Sequence, residues 1–299
     1  AHQCQHGRVS SLPSRDDIRL ALADALRNRV VGPDADTKLA MLNDTSEPGW
    51  FAEDRPIRRV HADASMFIGG MRAILLQSLH PLAMAGVAQH SDYRGDPWGR
   101  LQRTADFVAA TSFAPADVAQ RAVDIVVNVH KRVRGTASDG REYSASDSHL
   151  LRWVHVAEVD SFMRAHQAYG ATPLDTARYD AYVADMAVIA RKLGVPAPPT
   201  SVQGLKDQIA QFRPELRGTT ESRDAAKYLL LTPPLELVAR VPYSLIAAAA
   251  IAILPRWART DLQLPYLPIT EQLVVKPIGQ IISSTIRWAT SGDFVSPAV

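Results

Sequence analysis

Cysteine is almost missing from this chain of 299 residues, with Cys4 the single one. That excludes an intramolecular disulfide and a Cys-rich zinc site. An excess of charge of either sign is missing too. Lys plus Arg number 33 against 31 Asp plus Glu, a net charge of +2. So balanced a chain carries no electrostatic footprint for nucleic acid, and none is expected as a partner. Long apolar runs are short: the uncharged stretch from Val241 to Pro255 falls below the roughly 18 residues that a spanning helix needs. No transmembrane segment is expected, and peripheral contact with a membrane surface stays open. What is present is ordinary for a globular protein, 46% apolar and 21% charged. A chain this long buries about three-quarters of its unfolded surface and needs no staple.

The pattern is helical almost everywhere, and start and stop signals agree with the apolar periodicity. Ser14 with Asp17 reads as a capping box opening a helix over residues 16–29. Apolar residues run from Met66 to Leu76, and Pro81 breaks that helix. Asp96-Pro97 is an N-cap followed by a first helical residue. Pro115 opens another helix, with Gly135 placed to end it as a C′ glycine. Ser146 caps the next, which Gly170 closes. Thr172-Pro173 opens one that ends near Gly194. No proline occurs from Ala116 to Thr172, so two long helices are expected there. Asp139-Gly140 between them suits a short hairpin with a type I′ turn. The proline cluster at 196–199 is a stiff link inside one helical domain. The segment Tyr243 to Leu254 is apolar all round and reads as a buried core helix. The fold class is all-α, a single globular multi-helix domain. Its parts are an N-terminal helical extension (1–49), a main helical domain (50–260) and a C-terminal helical tail (261–299) packed on it.

Metal and nucleophile signatures are scarce. HExxH, Glu-x-x-His, GxSxG and the P-loop do not occur, which removes helical zinc proteases and ferritin-like di-iron bundles. Gly69-Gly70 inside an apolar helix reads as close helix packing. His2, Cys4 and His6 read as a frayed terminus. His130 shares a helix face with Val123, Val126, Val127 and Val133. An unpartnered buried polar group costs about 1–3 kcal/mol, so His130 needs a partner. Periodicity alone favours a hydrogen-bonded core histidine over a ligand. His155 lies likewise on a face with Leu151, Val159 and Phe162. His80 sits at the helix break before Pro81, where a free carbonyl could satisfy it. Arg100, Arg103 and Thr104 share one side of a helix. Two arginines beside a hydroxyl suit carboxylates or phosphates, and a solvated face with a few ion pairs is the plainer reading.

Six pieces occur in order: GGMRAILLQSLHP (69–81), GVAQHSDY (86–93), GRLQRTADF (99–107), VHKRVRG (129–135), YSASDSHLLRWVHVAEVDSF (143–162) and ILPRWAR (253–259). Together they resemble the bacterial branch of the domain shared by the fungal mycophenolic-acid oxygenase and the latex-clearing rubber oxygenase. The resemblance covers roughly residues 50 to 260. It implies an all-helical fold around haem b, with His130 as the proximal iron ligand. Arg100 and Thr104 match the arginine and threonine of an Arg-x-x-Lys-Thr motif beside the haem. Arg103 replaces its lysine, which removes that lysine as a distal ligand. The rubber oxygenase's catalytic glutamate has no match. His155 belongs to the bacterial branch's own pattern, and either faces the distal side or binds iron opposite His130.

Haem propionates want arginines, which Arg100 and Arg103 could supply. An apolar pocket between helices suits haem and a greasy substrate alike. The expected function is a haem b-dependent oxygenase acting on an apolar, isoprenoid- or lipid-like molecule with dioxygen. His155 and Arg103 are its candidate catalytic residues. A non-catalytic haem- or lipid-binding protein is the alternative, and a cofactor-free helical scaffold is the third reading. A cytoplasmic location is expected. The chain begins at Ala1, which leaves secretion after removal of a leader open.

Overall fold

The computed structural model describes residues 14–32, 34–42 and 47–291. The fold is all-α with one small hairpin. First come α1 (Arg15–Val30), α2 (Ala35–Leu42) and α3 (Pro56–His61). The body follows as α4 (Met66–Gln77), α5 (Pro81–His90), α6 (Pro97–Phe113), α7 (Ala116–His130) and α8 (Ser148–Tyr169). Strands β1 (Arg134–Thr136) and β2 (Glu142–Ser144) join α7 to α8. Then come α9 (Thr176–Lys192), α10 (Val202–Phe212), α11 (Thr220–Leu231), α12 (Leu237–Ala252) and α13 (Arg256–Leu262). A 3-10 turn (Arg213–Glu215) lies between α10 and α11. At the end, α14 (Pro268–Thr270) passes through a π-helical stretch (Glu271–Val275) into α15 (Lys276–Thr290). The expected His2, Cys4 and His6 group lies outside the described residues.

Local chemistry explains most boundaries. Ser14 and Asp17 form the capping box of α1. Asp96 accepts the Gly99 N–H at 2.9 Å, and Pro97 takes the first helical position of α6. Pro81 opens α5 rather than bending α4. Three expectations shift by a few residues. Asp147, not Ser146, caps α8, because its carboxylate accepts the His149 N–H at 2.8 Å. Asp175, not Thr172, caps α9 by accepting the Arg178 N–H at 2.8 Å, so the helix starts beyond Pro173. Gly135 does not end α7 but pairs with Tyr143 across the hairpin. A Cβ there would meet the Tyr143 hydroxyl at 2.6 Å. The hairpin itself stands where it was expected, around Asp139-Gly140. Its turn runs from Ala137 to Gly140, closed at 2.9 Å, with Gly140 at φ +85°. That is a three-residue loop ending in a left-handed glycine rather than a two-residue type I′ turn.

The core is built on α8, whose Trp153, Val156, Val159 and Met163 are fully buried. Helix α4 lies along it at close range. A Cβ on Gly69 would stand 2.9 Å from Phe162 Cδ1 and 3.2 Å from Ala165 Cβ, which is the close packing expected of that glycine. Helix α12 covers the other side of α4 with Ala247, Ala249 and Ala250 buried. Within the expected segment 243–254, Ala247, Ala249, Ala250 and Leu254 are buried, most others are half-buried and Ser244 is exposed, while Leu237 and Val241 before it face outward.

A buried arginine ties three of the six sequence pieces together. Arg72 on α4 pairs with Asp160 on α8 at 2.7 Å and donates to Ser161 Oγ at 2.6 Å. Its Nε donates to the Ile253 carbonyl at 3.0 Å. Removing one member of such a pair typically costs about 3–5 kcal/mol, because the other charge is left buried and alone. The tail is tied in the same way: Arg287 on α15 donates to Asp63 at 2.9 and 3.1 Å.

Candidate functional site

A narrow cleft opens where α3, α6, α7, α8 and α9 meet. Its apolar wall comes from Phe107 and Val108 of α6, Leu151 and Val154 of α8, and Met186 and Ile189 of α9. Polar groups enter from four helices: His61 of α3, Thr111 of α6, His130 of α7, and His155 and Glu158 of α8. Two of the sequence-predicted residues, His130 and His155, are thus brought to one place.

His130 sits on the last turn of α7, above the buried Val123. Desolvation lowers its pKa, which leaves the imidazole neutral at pH 7. The partner expected for it is not found among the described residues. His155 is buried deeper, and desolvation pushes it down to about 4. Its Nε2 is buried without a hydrogen-bond partner among the described residues. Leu151 lines the cleft beside it, while Val159 and Phe162 of the same stripe turn into the core.

His61 is held firmly. Its Nδ1 lies 2.7 Å from Ser112 Oγ and its Nε2 3.2 Å from the Tyr182 hydroxyl. Desolvation pushes it down to about 3, with a smaller push from His166.

Sequence reasoning missed Glu158. It follows His155 by three residues, so both project from one side of α8. Desolvation raises it to about 7, and no ion pair reaches it among the described residues. The available signal was an acid in the apolar stretch VHVAEV, one turn after a candidate histidine.

The arginine motif stands apart from the cleft lining. Arg103 is solvent-exposed, with 69% of its side chain accessible, and pairs with Asp96 at 3.2 Å. Arg103, expected as a catalytic group, is not among the residues that line the cleft. Thr104 is exposed and donates to the Arg100 carbonyl at 3.0 Å. Arg100 differs. Its pKa is lowered, first by desolvation, and no carboxylate pairs with it among the described residues. It shares the side of α6 that carries Phe107 and Thr111 into the cleft, two to three turns nearer the N-terminus.

The donors suit haem better than the width does. The neutral imidazoles of His130 and His155, the latter with an orphaned nitrogen, face an apolar slot, and a desolvated arginine without a carboxylate lies outside the lining, further along the α6 face that forms one wall. The cavity measures about 70 Å³, whereas ligand pockets usually span roughly 300–1,000 Å³. A macrocycle enters only if the walls part.

Outside this site, no described helix is long and apolar enough to cross a membrane. No curated protein and no solved structure matches the chain. A family model described as the ER-bound oxygenase mpaB/B′ and rubber oxygenase catalytic domain matches residues 58–288, from α3 through most of α15. With well over half its length matched, the chain belongs to this oxygenase catalytic-domain family.

Proposed function

We propose that the protein is a haem b-dependent oxygenase acting on an apolar, isoprenoid- or lipid-like substrate with dioxygen. The carrying observation is the set of donors that meets in the cleft. Two imidazoles kept neutral by burial share an apolar slot with a carboxyl raised to about 7. Haem supplies the redox chemistry when bound, and the protein positions and shields it.

His130 is assigned as the proximal ligand. Its desolvation leaves a ring nitrogen unprotonated. Arg100 is assigned to a propionate, whose charge would replace the water its guanidinium has lost. Arg103 and Thr104 lie on the outer side of the same turns. His155 Nε2 and the Glu158 carboxyl stand on the side of the cleft formed by α8. A carboxyl near pH 7 holds or yields a proton with little bias, which suits general acid–base work. Phe107, Met186 and Ile189 give an apolar substrate its contact surface and exclude water.

The test is the visible spectrum of the freshly purified full chain, with haem extracted and quantified. One haem per chain with a Soret band is expected. A colourless protein that also fails to bind added haemin overturns the reading. His130→Ala should lose the Soret band, whereas His155→Ala should keep haem and change oxygen consumption. Arg100→Ala should lower haem content with the helical signal intact. The paired imidazoles also favour one specific second reading, a haem-binding protein without turnover. Partial loss of haem in both histidine variants, with no oxygen uptake, would select it.

A further inference from the structure

A second group of ligating side chains lies at the start of α8, on the opposite face of that helix from the residues that line the cleft. His80 occupies the break between α4 and α5, His149 the first turn of α8, and Glu215 the 3-10 turn before α11. Both histidines aim Nε2 at one carboxylate. His149 Nε2 lies 2.9 and 3.0 Å from the two Glu215 oxygens, and His80 Nε2 lies 3.3 Å from Oε2. The donor atoms all fall within 4.8 Å of one another.

The surroundings fix these side chains. The His80 ring is buried between Trp153 and Phe212, with centroids 6.4 Å from each, and its Nδ1 has no partner among the described residues. The His149 ring leans on Phe212 at 4.6 Å. His149 and Glu215 remain about half exposed, at 48% and 40%. One rigid buried imidazole and two accessible donors therefore converge on a point that water reaches.

From this convergence we propose that His80, His149 and Glu215 form a binding site for a divalent first-row cation, zinc foremost. Two imidazoles and one carboxylate are a common borderline donor set, and three protein ligands leave a position for water. The ion would replace the shared hydrogen bonds with metal–ligand bonds. It would clip together three segments far apart in sequence: the α4–α5 break, the start of α8 and the turn entering α11. Because α8 also carries His155 and Glu158, the clip would hold the helix that presents them. The site does not depend on haem.

Titration of the full-length protein with zinc chloride, followed by calorimetry and bound-metal analysis, tests this. One zinc per chain should bind, and the melting temperature should rise. His149→Ala and Glu215→Gln each leave the buried His80 in place, so both should fold. Each should weaken zinc binding at least about tenfold and abolish the thermal shift. His130→Ala, and a variant with His2 and His6 both changed to Ala, should bind zinc as the parent does. A parent that takes up no zinc overturns the proposal. Equal affinity in Glu215→Gln, His149→Ala and the parent overturns it as well, and places any bound zinc elsewhere.

Discussion

Glu158 and Asp160 sit two positions apart on α8 and meet opposite surroundings. Asp160 is clamped by Arg72 at 2.7 Å and serves the fold. Glu158 faces the cleft with no cation and is pushed up to about 7. At neutral pH it is divided between acid and base, while Asp160 has a structural partner to hold it. Glu158→Gln keeps the shape and removes the exchangeable proton. Haem content should stay at the parental level while turnover falls roughly 10²–10⁴-fold, the usual loss for a general acid–base group. Parental turnover in this variant would return Glu158 to a passive wall position. This pair also shows where the sequence stopped being informative. His130 and His155 were legible because each carried a motif match and a helical stripe. Glu158 was not, because its meaning depends on which flank of α8 meets α9 and on the absence of a partner, both non-local facts. Arg103 meets the same limit: its motif neighbours share its helix face, but it is exposed while Arg100 is desolvated.

At the scale of elements, the seam between α4 and α8 positions the cleft helix. Helix boundaries were mostly readable in advance, since a cap or a proline acts within a few residues. The errors at Ser146 and Thr172 came from choosing between adjacent capping residues, which local chemistry barely separates. The glycine pair at 69–70 makes the seam testable. A Cβ at Gly69 would stand 2.9 Å from Phe162 Cδ1, while at Gly70 nothing lies within 4 Å. Gly69→Ala should destabilise by about 1–3 kcal/mol through overpacking. Gly70→Ala should stabilise by up to about 1 kcal/mol through helix propensity. Opposite signs in urea denaturation are the expected result. Equal signs would mean that α4 does not lie against α8 at this register.

For the whole molecule, the cleft's buried titratable groups tie stability to pH in opposing directions. His61 and His155 are held down to about 3 and about 4, against roughly 6.5 in an unfolded chain. Below pH 6.5 the unfolded state therefore binds more protons, and these two groups weaken the fold as pH falls towards 4. Glu158 works the other way. Raised to about 7 from the usual 4.5, it leaves the folded state holding the extra proton between those values. Its contribution is full below pH 4.5 and is lost as pH rises through 7. Glu158→Gln removes that term alone. The stability of the variant minus that of the parent should thus fall by on the order of 3 kcal/mol as pH drops from 7 to 4.5, since each pKa unit is worth about 1.4 kcal/mol. Chemical denaturation of both proteins across this range measures the difference directly, and contributions from every other carboxylate cancel. A difference that does not change with pH would show that the Glu158 carboxyl is solvated, and the cleft would lose its proton carrier.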